Sequence, residues 1–249
     1  MGIIIKSAKE IDIMRQAGKI VAIVLEKLRE EAKPGITTKD LNRIAEEEAK
    51  KNSAIPSFKG YRGFPASICA SVNEEIVHGI PDKRALSDGD IISIDFGAIY
   101  NGYQGDAAIT IPIGKISKKA QKLLDTTSAA LQKGIAKAKD GVHIGDVSAA
   151  IQYHVESNGF SVVREYVGHG IGQDMHEYPQ IPNFGVPGRG PILRKGMALA
   201  IEPMVNVGTW KTRLTDSGWT VVTQDGSLSA HFEHTIVITD GVAEILTAV

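Results

Sequence analysis

The sequence predicts an α/β fold: one domain over residues 1–249, made of two similar halves of about 1–113 and 114–249. Three observations predict it. Helical periodicity comes as two pairs of segments, one pair in each half, with strand-like runs after each pair. Ala32, Lys33, Gly35, Ile36, Asp40 and Leu41 match Ala138, Lys139, Gly141, Val142, Asp146 and Val147 at an offset of 106. Leu86, Gly89, Ile92, Ile94 and Asp95 match Leu193, Gly196, Leu199, Ile201 and Glu202 at an offset of 107. One such block is also what shared helix-turn grammar would give, whereas two blocks at nearly one offset favour an internal duplication.

Ser7 followed by Glu10 has the spacing of a capping box. Ile11, Met14, Val21, Val24, Leu25 and Leu28 then recur at helical spacing, which predicts a helix near residues 8–31. Pro34 and Gly35 end it. Thr37 caps a shorter helix carrying Leu41, Ile44, Ala45 and Ala49, which finishes before Pro56. Asp90 to Tyr100 alternates, with Ile92, Ile94 and Phe96 on one face and Ser93 and Asp95 on the other. Asn101-Gly102 suits a two-residue type I′ hairpin turn, where both positions need positive φ. From Ser117, Leu123, Leu124, Ala130, Leu131 and Ile135 share a helix face; Gly141 interrupts, and Val147, Ile151 and Val155 mark a fourth helix. The Pro- and Gly-rich run Pro179 to Pro191 reads as a loop inserted in the second half. His231 to Val237 reads as a strand with Glu233 and Thr235 on one face.

Apolar residues make up 43% and charged residues 23%, enough to bury a sizeable core. The formal net charge is −1, so binding to DNA or to an anionic membrane through bulk charge is not expected. The chain lacks the roughly 18 apolar residues of a membrane span, and its three consecutive isoleucines near the start are too few for a signal-peptide core. A cytoplasmic protein is expected. Cys69 is the one cysteine, which excludes an internal disulfide and a cysteine zinc finger. Any metal must then be held by His, Asp and Glu.

If Tyr100 pairs with Tyr103, Gly97 lies opposite Asp106, and Asp95 and Asp106 become diagonal neighbours on one face of the hairpin. Gly97 leaves room beside them. Two carboxylates in one small space repel each other, and a divalent cation removes that cost; solvated acids on an exposed face are the alternative. The repeat sets Glu202 where the first half has Asp95. Glu233 is a lone acid in a Phe and Ile strand and needs a partner. His231-Phe232-Glu233-His234 lacks the i, i+4 histidines of the helical zinc-protease motif, and both histidines are read as structural. Gly168-His169-Gly170-Ile171-Gly172 places an imidazole between glycines, which admit a ligand or metal close to the backbone; a satisfied loop histidine is the plainer account. His176 follows, and His78-Gly79-Ile80 echoes His169-Gly170-Ile171 in the first half. His143 and His154 are given no role.

Asp95, Asp106, His169, Glu202 and Glu233 resemble the five metal ligands of the type I methionine aminopeptidases. So do the stretches Ser71-Val72-Asn73-Glu74, His78-Gly79-Ile80-Pro81, Gly168 to Gly172, Ile201-Glu202-Pro203-Met204 and Phe232-Glu233-His234-Thr235, in order and spacing, over essentially the whole chain. The resemblance implies the pita-bread fold, a pseudo-two-fold curved antiparallel sheet covered by two helix pairs. It implies removal of the initiator methionine from nascent polypeptides when the second residue is small, by dinuclear-metal hydrolysis. Asp95 would chelate one metal, Asp106 and Glu233 bridge both, and His169 and Glu202 bind the other. Four carboxylates and a neutral imidazole are balanced by two divalent cations. Such ligands suit Mn, Fe or Co and tolerate Zn, and water on such an ion ionises near pH ~7, so no serine or cysteine nucleophile is needed.

By the same resemblance, His176 stabilises the oxyanion, His78 holds the scissile amide nitrogen and Glu202 carries the proton. Tyr61, Phe64, Cys69, His78, Met175, His176 and Trp219 match substrate-pocket positions, with Phe64 and Met175 departing from the commoner Tyr and Phe. Asn73 and Ser229 match a monovalent-cation site. The partner implied is the N-terminal methionine of nascent peptides, with the ribosome as a docking candidate. Lys115, Lys118, Lys119 and Lys122 offer a basic face for that, although a solvated helix surface is the simpler account. A monomer is expected. Two alternatives remain: an Xaa-Pro-type aminopeptidase of the same fold and a non-hydrolytic pita-bread binding protein. The first usually carries a long N-terminal domain, where six residues precede the first helix here, and the second has no use for five intact ligands. The 30 residues between Glu202 and Glu233 leave no room for the helical insertion of the type II enzymes.

Overall fold

Ser7 caps the first helix as its spacing predicts: its hydroxyl accepts from the Glu10 N–H, and the Glu10 carboxylate accepts from the Ser7 N–H at 2.7 Å. In this computed structural model, which describes residues 2–248, four helices follow from such local signals. They are α1 (Ala8–Glu31), α2 (Thr38–Lys51), α3 (Lys118–Lys137) and α4 (Ile144–Ser157). Thr37 and Ser117 cap α2 and α3 through their hydroxyls. None of the helices is long and apolar enough to cross a membrane.

The buried stripe of α1, including Met14, Val21, Val24, Leu25 and Leu28, packs on a long hairpin formed by the strands Ile91–Tyr100 and Tyr103–Pro112. Each such side chain, once buried, contributes roughly 1.5–3 kcal/mol. The hairpin register runs unbroken from Ile91↔Pro112 to Tyr100↔Tyr103, and the turn has Asn101 at φ 47° and Gly102 at φ 82°, as a type I′ turn requires. The strand Cys69–Val72 lies on the other side of Ile91–Tyr100 and sets Cys69 opposite Asp95. In the second half a five-stranded sheet runs in the order Glu244–Ile245, His234–Val237, Ala198–Ile201, Gly168–Gly170, Glu177–Ile181. Two three-stranded sheets complete the layer, and every pairing among the described residues is antiparallel.

One apolar cluster fills the space between α1, α2 and the hairpin, a second the space between α3, α4 and the five-stranded sheet, and Phe232 packs against both. Equivalent links join helix pair to sheet in each half. The Gly35 N–H donates to Leu86 O at 2.8 Å and the Gly141 N–H to Leu193 O at 2.9 Å. The bridges Thr37↔Ala85 and His143↔Ile192 sit at the same spacings as the sequence matches. At the centre, Tyr103–Pro112 meets the segment 231–235: Glu233 N–H donates to Ala108 O at 2.9 Å, Asp106 N–H to Thr235 Oγ1 at 3.0 Å, and Thr110 Oγ1 to His231 O at 2.8 Å.

The expectation of a loop from Pro179 to Pro191 needs correction at its start. Pro179 to Ile181 belong to the edge strand Glu177–Ile181. An edge tolerates a residue without an N–H, and the register of this pairing shifts between His169 and Gly170.

Candidate active site and metal centre

Alternation along the hairpin brings Asp95 and Asp106 to one face, since Gly97 pairs with Asp106 and Asp95 with Ala108. The central seam adds Glu233, and the antiparallel pairing of His169 with Ala200 brings the glycine-flanked imidazole next to the strand that ends before Glu202. All five residues line one cavity of about 210 Å³. Asp106, His169 and Glu233 each present a ligand atom within 4.8 Å of the others, and His169 Nε2 lies 3.6 Å from Glu202 Oε1.

The electrostatics of this cluster suit cations. Burial, reinforced for Asp95, Glu202 and Glu233 by the neighbouring acids, raises all four carboxyl groups, with Asp106 pushed up to about 7. Among the described residues none of the four pairs with Lys or Arg; Glu202 lies near His169 and His231, and Glu233 near His231. Asp95 Oδ1, Asp106 Oδ1 and Glu233 Oε1 are buried without any hydrogen-bond partner. Buried anionic oxygens in this state are costly unless paired or bound to metal. His169 completes the donor set: its Nδ1 bonds the Gly170 carbonyl at 2.9 Å, which fixes the proton there and leaves the Nε2 lone pair facing the acids. Burial lowers its pKa to about 3, so the ring is neutral. Four carboxylate groups and one neutral imidazole fit a hard-to-borderline divalent cation.

His78, His176, Tyr61, Phe64, Cys69 and Trp219 line the same cavity. His176 Nδ1 bonds the Tyr61 hydroxyl at 2.8 Å, and the two rings stack at 5.5 Å. Burial, Arg62 and His78 lower its pKa to about 4. His78 stands at φ 59°, a left-handed conformation that is strained for a non-glycine residue, with its ring against Tyr166 and Trp219. Gly79 follows it because a Cβ there would come within 2.3 Å of Ala70 O. Phe64 meets Trp219 edge-on at 5.2 Å. Burial, and then Asp95, push the Cys69 thiol well up, which suits an apolar wall and not a nucleophile.

Met175 is placed differently from the other pocket positions. It is buried in the apolar cluster with Phe58, Phe64 and Cys69 but does not line the cavity. A Cβ on Gly97 would come within 2.8 Å of Met175 Cε and 2.9 Å of Ser57 Cβ, so the room expected at Gly97 is filled by this wall. Asn73 and Ser229 are adjacent, the Ser229 N–H donating to Asn73 O at 2.9 Å, and both side chains are hydrogen-bonded. Asn73 Nδ2 donates to Asp90 at 2.8 Å, its Oδ1 accepts from Ile91 N–H, and Ser229 Oγ donates to Asn206 Oδ1 at 2.8 Å.

Phe58, Arg62, Val77, Tyr166 and Val167 also line the cavity and escape the sequence reading. Their only sequence signal is proximity to Tyr61, His78 and Gly168. His231, read as structural, is in the site: its Nε2 has no hydrogen-bond partner and lies 3.6 Å from Glu202 Oε2 and 4.0 Å from Glu233 Oε2. Alternation with Glu233 was the available signal. His234 is structural, bonding Thr247 Oγ1 at 2.9 Å.

Comparison with known proteins agrees with this geometry. The chain is 61% identical over 246 residues to a methionine aminopeptidase of Clostridium acetobutylicum, covering 98% of each chain. It is 58% identical to methionine aminopeptidase 1 of Bacillus subtilis, covering 99% of this chain and 100% of that one. The crystal structure of a methionine aminopeptidase from Thermotoga maritima superposes with a TM-score of 0.99 at 50% identity over the full length of both. A prolidase from Pyrococcus horikoshii, 24% identical, shares the fold with a TM-score of 0.78, and this chain covers 63% of it. The profile of metallopeptidase family M24 matches residues 12–240, and the chain belongs to that family.

Proposed function

We infer that this protein is a metal-dependent methionine aminopeptidase, which removes the initiator methionine from polypeptides whose second residue is small. The observation that carries the reading is the union of two features in one cavity. A donor set of four acids, Asp106 and Glu233 buried and Asp95 and Glu202 half-buried, with one neutral imidazole faces an apolar wall that includes Phe64, Cys69 and Trp219. Divalent cations held by Asp95, Asp106, His169, Glu202 and Glu233 would polarise the peptide carbonyl and make water acidic enough to ionise near neutral pH. Two ions balance the four carboxylates, and Mn, Fe, Co or Zn all suit the donors.

The chain's own groups do the rest. The wall takes the methionine side chain, whose burial contributes roughly 1.5–3 kcal/mol. With the Tyr61 hydroxyl donating to His176 Nδ1, the proton of the neutral ring would stand on Nε2, free to donate to the oxyanion. His78 holds the scissile amide nitrogen from the strained turn before Gly79. Glu202 takes a proton on its carboxylate and passes it to the leaving amine. A monovalent cation at Asn73 and Ser229 would be held by oxygen lone pairs there, since Ser229 Oγ donates its proton to Asn206 and keeps its lone pairs. We read the chain as one domain of two halves, about 1–113 and 114–249, acting as a cytoplasmic monomer on nascent chains at the ribosome.

The test is hydrolysis of Met-Ala-Ser, Met-Leu-Ser and Ala-Pro-Ser by chelated protein with single metals added back. Release of methionine from the first alone, and only with metal present, is expected. Preferential cleavage of Ala-Pro-Ser would move the chain to the Xaa-Pro enzymes, and no cleavage with any metal would leave a binding protein.

A further inference from the structure

The segment from Gly172 to Glu177 connects the ligand His169 to His176, and it is gripped from two sides by the start of the chain. On one side Lys6 Nζ donates to Glu177 Oε2, and the two side chains retain only 2% and 6% of their exposure. Lys6 is itself pinned, its N–H donating to Gly196 O at 2.8 Å. On the other side, the Glu10 carboxylate accepts from the Tyr103 hydroxyl at 2.6 Å, Tyr103 accepts from Gln173 Nε2 at 2.9 Å, and Gln104 N–H donates to Gly172 O at 2.8 Å. The last glycine of the Gly168 to Gly172 motif fits this arrangement. A Cβ at Gly172 would stand 2.4 Å from Glu177 Oε1 and 2.5 Å from Lys6 Cε.

A buried ion pair is a poor stabilising device, because desolvation offsets its attraction. What it does well is fix a geometry. We propose that the Lys6–Glu177 pair is a positioning device for His176: the N-terminal segment sets where that imidazole stands against His169, whose ring lies 4.3 Å away. The proposal rests on the reading of His176 as the oxyanion donor. Glu177 follows His176 in the chain, so anchoring its side chain restrains the backbone that carries the imidazole, and small misplacements of a catalytic group cost large factors in rate.

The test uses the metal-loaded enzyme and the paired variant Lys6→Met/Glu177→Gln, which removes both charges and leaves neither uncompensated. Turnover of Met-Ala-Ser should fall about 10-fold with KM nearly unchanged. In a His176→Ala background the same pair of changes should have no further effect on kcat, because the group it positions is gone. Gly172→Ala, which forces a methyl into the pair without altering charge, should reproduce both results and serves if the charge variants do not fold. Wild-type kcat in a folded variant, or a full second loss on top of His176→Ala, would overturn the proposal. Wild-type turnover in His176→Ala itself would remove the role of His176, and the proposal with it.

Discussion

Asp106 combines an unpartnered, buried carboxylate oxygen with a pKa pushed up to about 7, and it faces both Asp95 and Glu233. Asp106→Asn keeps the volume and removes the charge. A neutral amide oxygen bridges two cations poorly, so the variant should bind fewer Mn ions by calorimetry and turn over far more slowly; two tight sites with near-normal turnover would end the dinuclear reading. In the proposed reaction His78 and His176 would act on different atoms. Both are neutral near pH 7, since burial lowers each pKa. As donors in the transition state, each changed singly to Ala should lower kcat/KM by about 10²-fold or more, the scale of one lost oxyanion contact. A rise in KM alone would show that they serve ground-state binding.

The hairpin and α1 illustrate what sequence can and cannot specify about an element. The cap Ser7-Glu10, the alternation from Asp90 to Tyr100 and the Asn101-Gly102 turn act within a few residues, so the helix start and the hairpin register follow from the sequence. Asp95 and Asp106 are legible for the same reason. How α1 lies on the hairpin is not, because it depends on residues distant along the chain. A Cβ at Gly105 would reach within 2.8 Å of Gly18 N, and one at Gly18 within 2.3 Å of Leu246 O, so strand, helix and C-terminal segment touch backbone to backbone. The same distance in sequence hides Met175 behind Gly97 and His231 beside Glu202. Gly105→Ala must separate α1 from the hairpin. Overpacking of this kind costs roughly 1–3 kcal/mol, and each kcal/mol lowers Tm by roughly 2–4 °C in a chain of this size. Thermal melting checks this, and an unchanged Tm would mean that the helix tolerates the displacement.

At the scale of the molecule, the candidate metal site lies where the hairpin strand Tyr103–Pro112 meets the segment 231–235, so a cation bound there would link binding to folding across that seam. Without metal, burial makes the folded chain hold the protons of these acids to higher pH than the unfolded chain does. Asp106 has an ordinary value of 3.8 and a folded value of about 7, so the stability it contributes is full below the first and lost as pH rises through the second. Asp95, Glu202 and Glu233 move in the same direction. His169 and His231 act oppositely. Both fall from 6.5 to about 3, so their contribution is present above 6.5 and lost as pH drops toward 3. Below neutrality the two sets oppose each other, the carboxyl groups losing their contribution as pH rises to their raised pKa values and the two histidines gaining theirs. The metal-free protein should therefore lose the Asp106 contribution as pH rises from 3.8 to about 7, and a cation that replaces those protons should remove the loss. The increase in Tm on adding Mn to chelated protein is expected to grow from about pH 6 to about pH 8. Calorimetry in two buffers of different ionisation enthalpy should register proton release on binding. A constant increase in Tm with no proton release would mean that the acids are already ionised in the metal-free fold, and that something other than a cation compensates their charge.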